Sequence, residues 1–541
     1  MRMATMAQQE ILHGTTRTRS HCIRALISLA AFAATSLALA LPAAAQIAPP
    51  AAQQATPAVQ LPLSGRTSQT NGTVKATESP IAGVTTSVNT LNSTVQTQGA
   101  YAGSTSSTKL MPFNGKLGFQ EAILRALSYN LGQTGATQAL RQAEGQAKST
   151  RAALLPNITG TVVENVQTED LRALGFRFNF QGYSIPQVIG PFNYIDFRAH
   201  LSQTVLDLTA LNNYRATNDI TRANRYSAID ARDLIVLAVG GAYLQVTAAK
   251  ARLAAEQAQV EAANAVFQQS VQQLAQGIIA KVDADKNQVQ LLTEQQRLFS
   301  LENDFAKQKI NLARMIGLPP NENYEVTDDI PYSPAMPLTV DDALKQAFDQ
   351  RADLKAADAQ FQAAVRAKAA ARAERYPSIN VNADFGGIGV TPSQLQNTYT
   401  AAANMKIPIW QGGRVSGDVE QADATLAQRR AEYEDVKGQI ESDVRSAFLD
   451  LQAAASQVEV ALKNVQVTNE AAELTRQKLE AGVSTTVDYT QARESATSAQ
   501  FDYINAVFAH NIAKLSLARA MGRAAKSLPE FLKLPQAPQA Q

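Results

Sequence analysis

Four segments of the chain alternate apolar and polar residues with a period of two. The clearest follows Pro377, where Ile379 to Phe385 place apolar side chains on one face and amide or carboxylate side chains on the other. Alternation over about ten residues is typical of a strand with one apolar and one polar face. The pattern therefore predicts two pairs of strands, at about 157–207 and at about 378–409.

Strands of this kind have two interpretations. In a transmembrane β-barrel the apolar face meets lipid and the polar face lines a wet lumen, whereas in a soluble protein the same alternation describes a half-buried antiparallel sheet. Strand length and the export leader described below favour the barrel. The polar residues then predicted to line the lumen are Asp196, Arg198, His200 and Lys406. Because the smallest such barrels have about eight strands, four strands per chain predict that several chains share one barrel.

Very long helices follow each pair of strands. Residues 209–275 and 413–481 contain no Pro, and apolar residues recur at spacings of three and four, as in Val436, Ile440 and Val444. At 1.5 Å per residue, each helix would be on the order of 100 Å long. The spacing predicts coiled-coil packing in helical hairpins at about 209–316 and about 412–522, although a soluble coiled-coil rod would show the same heptads.

The same order of elements occurs twice along the chain. Residues 117–127 resemble residues 338–348, and later landmarks, among them Gly277 with Gly482, recur at a second constant offset. Two constant offsets predict two copies of one unit, the first with a longer loop. The predicted repeats are 115–336 and 337–525. Each contains short helices, two strands and a long helical hairpin.

Glycine and proline mark the points where the predicted elements meet. Gly277 and Gly482 predict the turns of the two helical hairpins, because glycine readily adopts the left-handed backbone of a tight reversal. The predicted junctions between strands and helices are Pro156, Pro377, Pro408, Gly412 and Gly413. Residues 204–209 of the first repeat lack this punctuation, so the bend there must form by other means.

The N-terminus has the pattern of a secretory signal peptide over residues 1–45. Arg17, Arg19 and Arg24 precede an apolar run, and small residues predict cleavage near Ala45. A transmembrane anchor is the alternative interpretation, but the run is short for a span. Residues 46–114 are rich in small and polar residues and predict an arm that is mostly disordered or draped on the surface, and residues 526–541 form a C-terminal tail.

Composition excludes several classes of function. Lys and Arg number 49 and Asp and Glu 47, so the chain lacks the basic excess of a nucleic-acid-binding protein. One Cys and four His argue against a metal cluster. No phosphate-binding loop, zinc-protease motif or nucleophile elbow is present. The sequence predicts no catalytic site, no metal and no cofactor, and therefore a protein that is not an enzyme.

Together these features resemble the TolC-like outer-membrane efflux proteins. The likeness rests on the duplicated order, on Leu-Pro or Tyr-Pro before strands, on residues 408–413 (PIWQGG) at a strand-to-helix junction and on a Gly-x5-Asp turn between long helices. It covers roughly residues 115–525. The resemblance implies a mainly α fold with a β-barrel segment: a homotrimer with a shared 12-stranded barrel in contact with outer-membrane lipid, and an α-helical tunnel across the periplasm.

The resemblance also implies a function. Family members are passive exit ducts of tripartite efflux or type I secretion systems, and they dock on a periplasmic adaptor and an inner-membrane pump. A soluble periplasmic coiled-coil scaffold would explain the long helices but not the alternating strands. The transported substrate cannot be read from the chain, because such a duct takes its specificity largely from the pump.

The resemblance assigns roles to residues at the hairpin tips. It places Asp488 in an acidic ring at the periplasmic constriction and Asp283 among the polar links that keep it closed. The second acidic position falls on Gln491 and a basic linking position on Ser484, so the ring is thinner and an Arg–Asp latch is missing. The local alternative for both Asp residues is stabilisation of a helix N-terminus, and Thr485 with Asp488 has the spacing of a capping box.

Overall fold

A computed structural model describes most of the chain beyond the N-terminal segment. The predicted signal peptide, its cleavage site near Ala45 and the tail 526–541 lie outside the described part of the chain. The described residues are 73–82, 89–105, 112–173, 175, 186–328, 332–334 and 338–525.

The described chain is mainly helical, with short sheets. Its first half contains β1 (Val74–Ala82), β2 (Asn89–Thr97), β3 (Lys116–Leu117), α1 (Phe119–Tyr129), α2 (Leu131–Ala152), β4 (Asn157–Asp170), β5 (Val188–Leu206), α3 (Leu208–Ala275) and α4 (Lys281–Ile316). Its second half contains β6 (Glu325–Val326), α5 (Val340–Gln350), α6 (Ala352–Ala373), β7 (Ser378–Gly389), β8 (Gln396–Lys406), α7 (Arg414–Glu480) and α8 (Thr486–Ala520). The predicted strand pairs and long helices are therefore present.

The chain divides into two compact units. The smaller one contains, among the described residues, 163–195 and 389–395, which are the ends of paired strands and the turns that follow them. The larger one contains the other described residues, including all the helices and every predicted site residue.

The four long strands form one sheet in the order β4-β5-β7-β8. In the antiparallel pair of β7 and β8, Ile379 lies opposite Met405 and Phe385 lies opposite Tyr399, while Asn380 lies opposite Asn404. With the exception of Asn382 opposite Ala402, apolar residues thus pair with apolar residues and polar with polar along most of the register. A shift of one residue in this register would mix the two faces, so the alternating sequence is what specifies the pairing.

The hydrophobic core lies where short helices pack against the long ones. Helix α1 packs on α3, where the Phe119 and Tyr243 rings meet edge to face with centroids 5.2 Å apart. Helix α5 packs on α7 through Ala343, Ala347 and Ile440, all fully buried. Alanine at these contacts lets the backbones approach closely, which explains why a chain with few aromatic residues still forms a core.

Helix α3 contains an 18-residue window with a mean hydropathy of 1.5, long and apolar enough by composition to cross a membrane. However, 67% of this window is buried within the chain. Core helices pass the same test, and the fully buried residues Ile235, Val239 and Tyr243 lie in this part of α3. The window is therefore explained by the core.

Part of the arm at 46–114, which was predicted to be mostly disordered or draped on the surface, is ordered and lies against the helices. Strands β1 and β2 form an antiparallel hairpin within it, and Val74 and Tyr101 are buried against the helices. An isolated two-stranded hairpin is marginally stable in water, so this one depends on the surface that it covers.

Two glycines of the helical domain make room for this hairpin and the turn after it. A Cβ atom on Gly241 of α3 would lie 2.5 Å from a methyl group of Val95, and one on Gly132 of α2 would lie 2.5 Å from the Tyr101 ring. The arm's overall composition predicted disorder because its few apolar residues are diluted among polar ones. Four of them, Val74, Ala76, Val95 and Tyr101, nevertheless pack together against the helical core.

Candidate channel-lining and hairpin-tip sites

The polar face of the four-stranded sheet carries an ion-pair cluster centred on Arg198. The guanidinium of Arg198 on β5 donates to Asp196 at 3.2 and 3.3 Å, to Asp384 on β7, and to Thr398 on β8 at 3.3 Å. The three charged side chains are about one-fifth exposed, at 20–22%. The structure thus brings together two predicted lumen residues, Asp196 and Arg198, and adds Asp384 and Thr398.

The other two predicted lumen residues lie apart from this cluster. The Nε2 atom of His200 is 3.0 Å from the Thr161 hydroxyl on β4. Lys406 is exposed and pairs in register with Ser378 at the ends of β8 and β7. The alternation could have added Asp384 to the predicted set, because it occupies the same face as Asn380 and Asn382.

The opposite face of the sheet is apolar and open. Phe385, Tyr399 and Met405 alternate with the polar residues and are 62%, 80% and 59% exposed. The exposed apolar surface continues beyond β8 through Ile407, Ile409 and Trp410. Contiguous exposed apolar surface of this kind marks a contact with lipid or another protein.

Glycine and proline stand where the elements join, as predicted. Pro156 and Pro377 directly precede β4 and β7, and Pro408 follows β8. Gly412 and Gly413 have φ angles of 59° and 82°, a left-handed conformation that favours glycine.

In the first repeat, the junction between β5 and α3 is formed by a helix cap instead of Pro and Gly. The side chain of Asp207 accepts a hydrogen bond from the Ala210 N–H at 2.9 Å and caps α3. An Asp just before a long helical pattern is a recognisable capping signal that the search for Pro and Gly missed.

Both hairpin tips end the first helix in the same way. Gly277 and Gly482 each have a φ angle of 72°. The Ile278 N–H donates to the Gln273 carbonyl at 2.9 Å, and the Val483 N–H donates to the Lys478 carbonyl at 3.0 Å. These are the long hydrogen bonds of a Schellman motif, in which glycine takes the left-handed position.

Asp488 completes a full capping box at the start of α8. Its Oδ2 atom accepts from the Thr485 N–H at 3.0 Å, from the Thr485 hydroxyl at 2.7 Å and from the Ser484 hydroxyl at 3.2 Å, while its own N–H donates to Thr485 at 3.2 Å. The hydrogen bonds from Thr485 hold the pKa of Asp488 below its ordinary value. The carboxylate is therefore exposed and ionised. It is held by hydrogen bonds from Thr485 and Ser484, both within the same turn of the chain.

Asp283 at the first tip has a different environment. It lies in the first turn of α4 and forms an ion pair with Lys286 at 3.3 Å, while Ala280 at the cap position offers no side-chain hydrogen bond. Gln491 is exposed one turn into α8. The two tips are thus alike in backbone and different in charge.

A family match decides the identity of this fold. The model of the outer membrane efflux protein family matches residues 126–318 and 343–523. The chain belongs to the outer membrane efflux protein family. The predicted resemblance is confirmed.

Two curated relatives share parts of the sequence of this family member. The cobalt-zinc-cadmium resistance protein CzcC of Cupriavidus metallidurans is 25% identical over 200 residues, covering 37% of this chain and 46% of its own. The outer membrane protein OprJ of Pseudomonas aeruginosa is 27% identical over 325 residues, covering 58% of this chain and 65% of its own. Each match spans less than two thirds of the relative's length.

Solved structures show the same fold. The outer membrane protein VceC of Vibrio cholerae superposes with a TM-score of 0.64 at 19% identity, covering 75% of this chain and 96% of that one. The CmeC outer membrane channel of Campylobacter jejuni superposes with a TM-score of 0.65 at 17% identity, covering 77% and 89%. At such identities the likeness concerns the fold alone.

This family member also has a polar seam between its long helices that the sequence did not predict. The Arg493 guanidinium on α8 donates to Gln259 on α3 at 2.7 Å, and the Asn287 amide on α4 donates to Ser270 on α3 at 2.5 Å. A narrow crevice lies between these three helices. Among the described residues, no group of three or more His, Cys, Asp or Glu is arranged to hold a metal ion.

Proposed function

We propose that this protein is a trimeric outer-membrane channel-tunnel that acts as a passive exit duct and is not an enzyme. The observation that carries the proposal is the division of the sheet into an open apolar face at Phe385 and Tyr399 and a charged face at Arg198 and Asp384. Lipid would cover the first face and a wet lumen would contact the second. A soluble periplasmic scaffold would leave the apolar face in water.

The order of the strands supports a barrel shared between copies. Strands β4 and β8 are the edges of the sheet. Unpaired strand edges in lipid are costly, because no water is available to bond their N–H and C=O groups. Pairing β8 of one copy with β4 of the next would close the barrel, and three copies would supply 12 strands.

The long helices support the same arrangement. Within the chain α4 packs on α3, α3 on α8 and α8 on α7, so α4 and α7 are the outer members of the row. Both carry exposed apolar residues at heptad spacing: Val289, Leu292 and Phe299 on α4, and Val460, Val467 and Leu474 on α7. Packing α4 of one copy against α7 of the next would bury both stripes in a helical tunnel.

The domain organisation proposed for this duct follows the duplicated pattern. The two repeats are 115–336 and 337–525, preceded by a signal peptide cleaved near Ala45 and by the arm at 46–114. The two separate matches of the family model support the duplication. The short elements between the hairpins would form a belt around the tunnel's middle.

We also propose that the hairpin tips dock on a periplasmic adaptor, which joins the duct to an inner-membrane pump. Each tip presents two large apolar residues to solvent, Ile278 with Val282 and Val483 with Val487, all 57–75% exposed. Apolar residues flanking a tight turn fit a partner with a complementary apolar tip.

Cell fractionation tests the central proposal. The full-length protein, expressed with its leader, is expected in the outer membrane fraction after a high-salt wash. Chemical cross-linking should then yield a trimer, and the purified protein should conduct ions across planar bilayers. Release by salt as a soluble monomer would instead support the periplasmic scaffold.

The charge of Asp488 is expected to make the duct entrance favour cations. Asp488→Asn removes the charge but keeps a side-chain oxygen that can accept the capping bonds of Thr485. We expect the cation-to-anion permeability ratio in single-channel recordings to fall by about twofold or more, as for removal of a charge from a narrow entrance.

A second variant separates the charge from the cap. Thr485→Val breaks the capping box and keeps the Asp488 carboxylate, so selectivity should be retained while α8 loses about 1 kcal/mol of stability at its N-terminus. Unchanged selectivity in Asp488→Asn would leave capping as the role of this residue.

A further inference from the structure

Glu256 is a fully buried carboxyl group on α3, at the seam with α4 and α8. Its exposed fraction is 0%, and within the described structure neither carboxyl oxygen has a hydrogen-bond partner apart from the carboxyl group of Glu294. Burying an ionised carboxylate without a partner is costly, and such a group is expected to keep its proton. The pattern of apolar residues along the long helices did not predict a buried carboxyl group at this position.

A second carboxyl group lies beside it. Glu294 on α4 is 6% exposed, accepts a hydrogen bond from Gln290 at 2.7 Å, and pairs with Arg297 at 3.0 Å. Arg297 is half-exposed, so one partly hydrated cation faces two buried acids. Charge balance at this position therefore favours one proton shared by the pair.

The other charged groups around the pair have partners of their own. On α8, Arg493 donates to Gln259, and Glu494 accepts from Gln290 at 3.5 Å. On α3, Arg252 donates to Asn505 of α8. None of these bonds supplies Glu256 with a counter-ion.

We propose that Glu256 and Glu294 form a proton-sharing pair, and that loss of the shared proton loosens the seam between α3, α4 and α8. Two carboxylates side by side in a buried site repel each other strongly, because little water is present to screen them. The adjacent crevice, which Glu294 and Gln290 line, lets water reach the Glu294 side of the pair. The mobility of the helical hairpins would then depend on pH. These contacts lie within one chain, so the proposal does not depend on the trimeric duct.

The direction of the pH dependence follows from the burial of Glu256. Burial, together with the neighbouring Glu294, raises the pKa of Glu256 from its ordinary 4.5 to about 7. A group whose folded-state pKa is raised in this way stabilises the fold only while it is protonated. Its contribution is therefore greatest at about pH 4.5 and below, and is lost as the pH rises through about 7.

Thermal unfolding and hydrogen exchange of the full chain in detergent test this proposal. Between pH 5.5 and pH 8.5 the Tm of the unmodified protein is expected to fall by about 3 °C. Amides of residues 290–298 and 490–500 are expected to exchange about tenfold faster at pH 8.5, after correction for the intrinsic pH dependence of exchange. Glu256→Gln, which mimics the protonated acid, should remove both changes.

Glu261→Gln is the matched control, because Glu261 lies on the same helix but is exposed. It should keep the pH dependence of the unmodified protein. If Glu256→Gln does not fold, Glu294→Gln is expected to show the same loss of pH dependence. An undiminished pH dependence in the glutamine variants, or none in the unmodified protein, would overturn the proposal.

Discussion

Replacing Arg351 with Met is expected to lower the free energy of unfolding by about 2–3 kcal/mol, because it leaves two half-buried acids without the buried cation that binds them. Arg351, at the junction of α5 and α6, is only 4% exposed. Its guanidinium donates to Asp353 at 2.6 and 3.0 Å and to Asp443 on α7 at 2.8 Å. Unfolding followed by circular dichroism in detergent would measure the loss.

A surface ion pair on α7 provides the control for this prediction. Arg445 pairs with Glu441 at 2.8 Å, and both side chains are about half-exposed. Arg445→Met should therefore cost about 0.5 kcal/mol or less.

The double variant Arg351→Met/Asp443→Asn tests the pairing itself. It should recover part of the stability lost in the single variant, since one of the unpaired charges is then gone. Equal stability losses in Arg351→Met and Arg445→Met would contradict the role of a buried network.

Replacing Ala401 with Arg is expected to remove the protein from the outer membrane. Ala401 lies opposite Ala383 on the apolar face of β8 and β7, where we propose lipid contact. An arginine facing the middle of the bilayer costs about 2–4 kcal/mol, and a trimer would contain three of them. Quantitative immunoblots of outer-membrane fractions should show a loss of about tenfold or more, as expected for a cost above 1.4 kcal/mol.

The neighbouring Thr400 offers a control with the same charge on the same strand. Thr400 lies opposite Asp384, on the face that we propose lines the lumen. Thr400→Arg places the guanidinium in water beside a carboxylate, so the protein should remain in the outer membrane. If Ala401→Arg and Thr400→Arg were retained equally, the apolar face would not be in contact with lipid.

Much of the fold could be predicted because its signals are local. Alternation around Ile379 and Phe385 specifies both the strands and the face that each residue occupies. The absence of Pro from 209–275 allowed the long helix α3, and Thr485 with Asp488 formed the capping box that their spacing indicates. Each of these features depends on residues within a few positions of one another.

The errors and omissions arose where distant segments meet. The arm at 46–114 was predicted to be mostly disordered or draped on the surface, yet Val95 packs closely on Gly241, far along the chain. No local pattern marks Gly241 as the surface that receives it. The seam residues were missed for the same reason, because Arg493 and Gln259 become neighbours only when α8 packs on α3.

The sequence by itself determined the elements, the two faces of the strands and the turns at Gly277 and Gly482, because backbone preference and side-chain period are properties of short segments. The family also followed from the sequence, through the order of these elements. Only the tertiary structure decided which charges are paired and which are buried. Arg351 gained two acids from folding, whereas Glu256 lost its water and gained only another acid. Burial and pairing depend on contacts between helices. These contacts place the charges, such as Arg351 and Glu256, whose removal or change of protonation is expected to alter the stability of the fold.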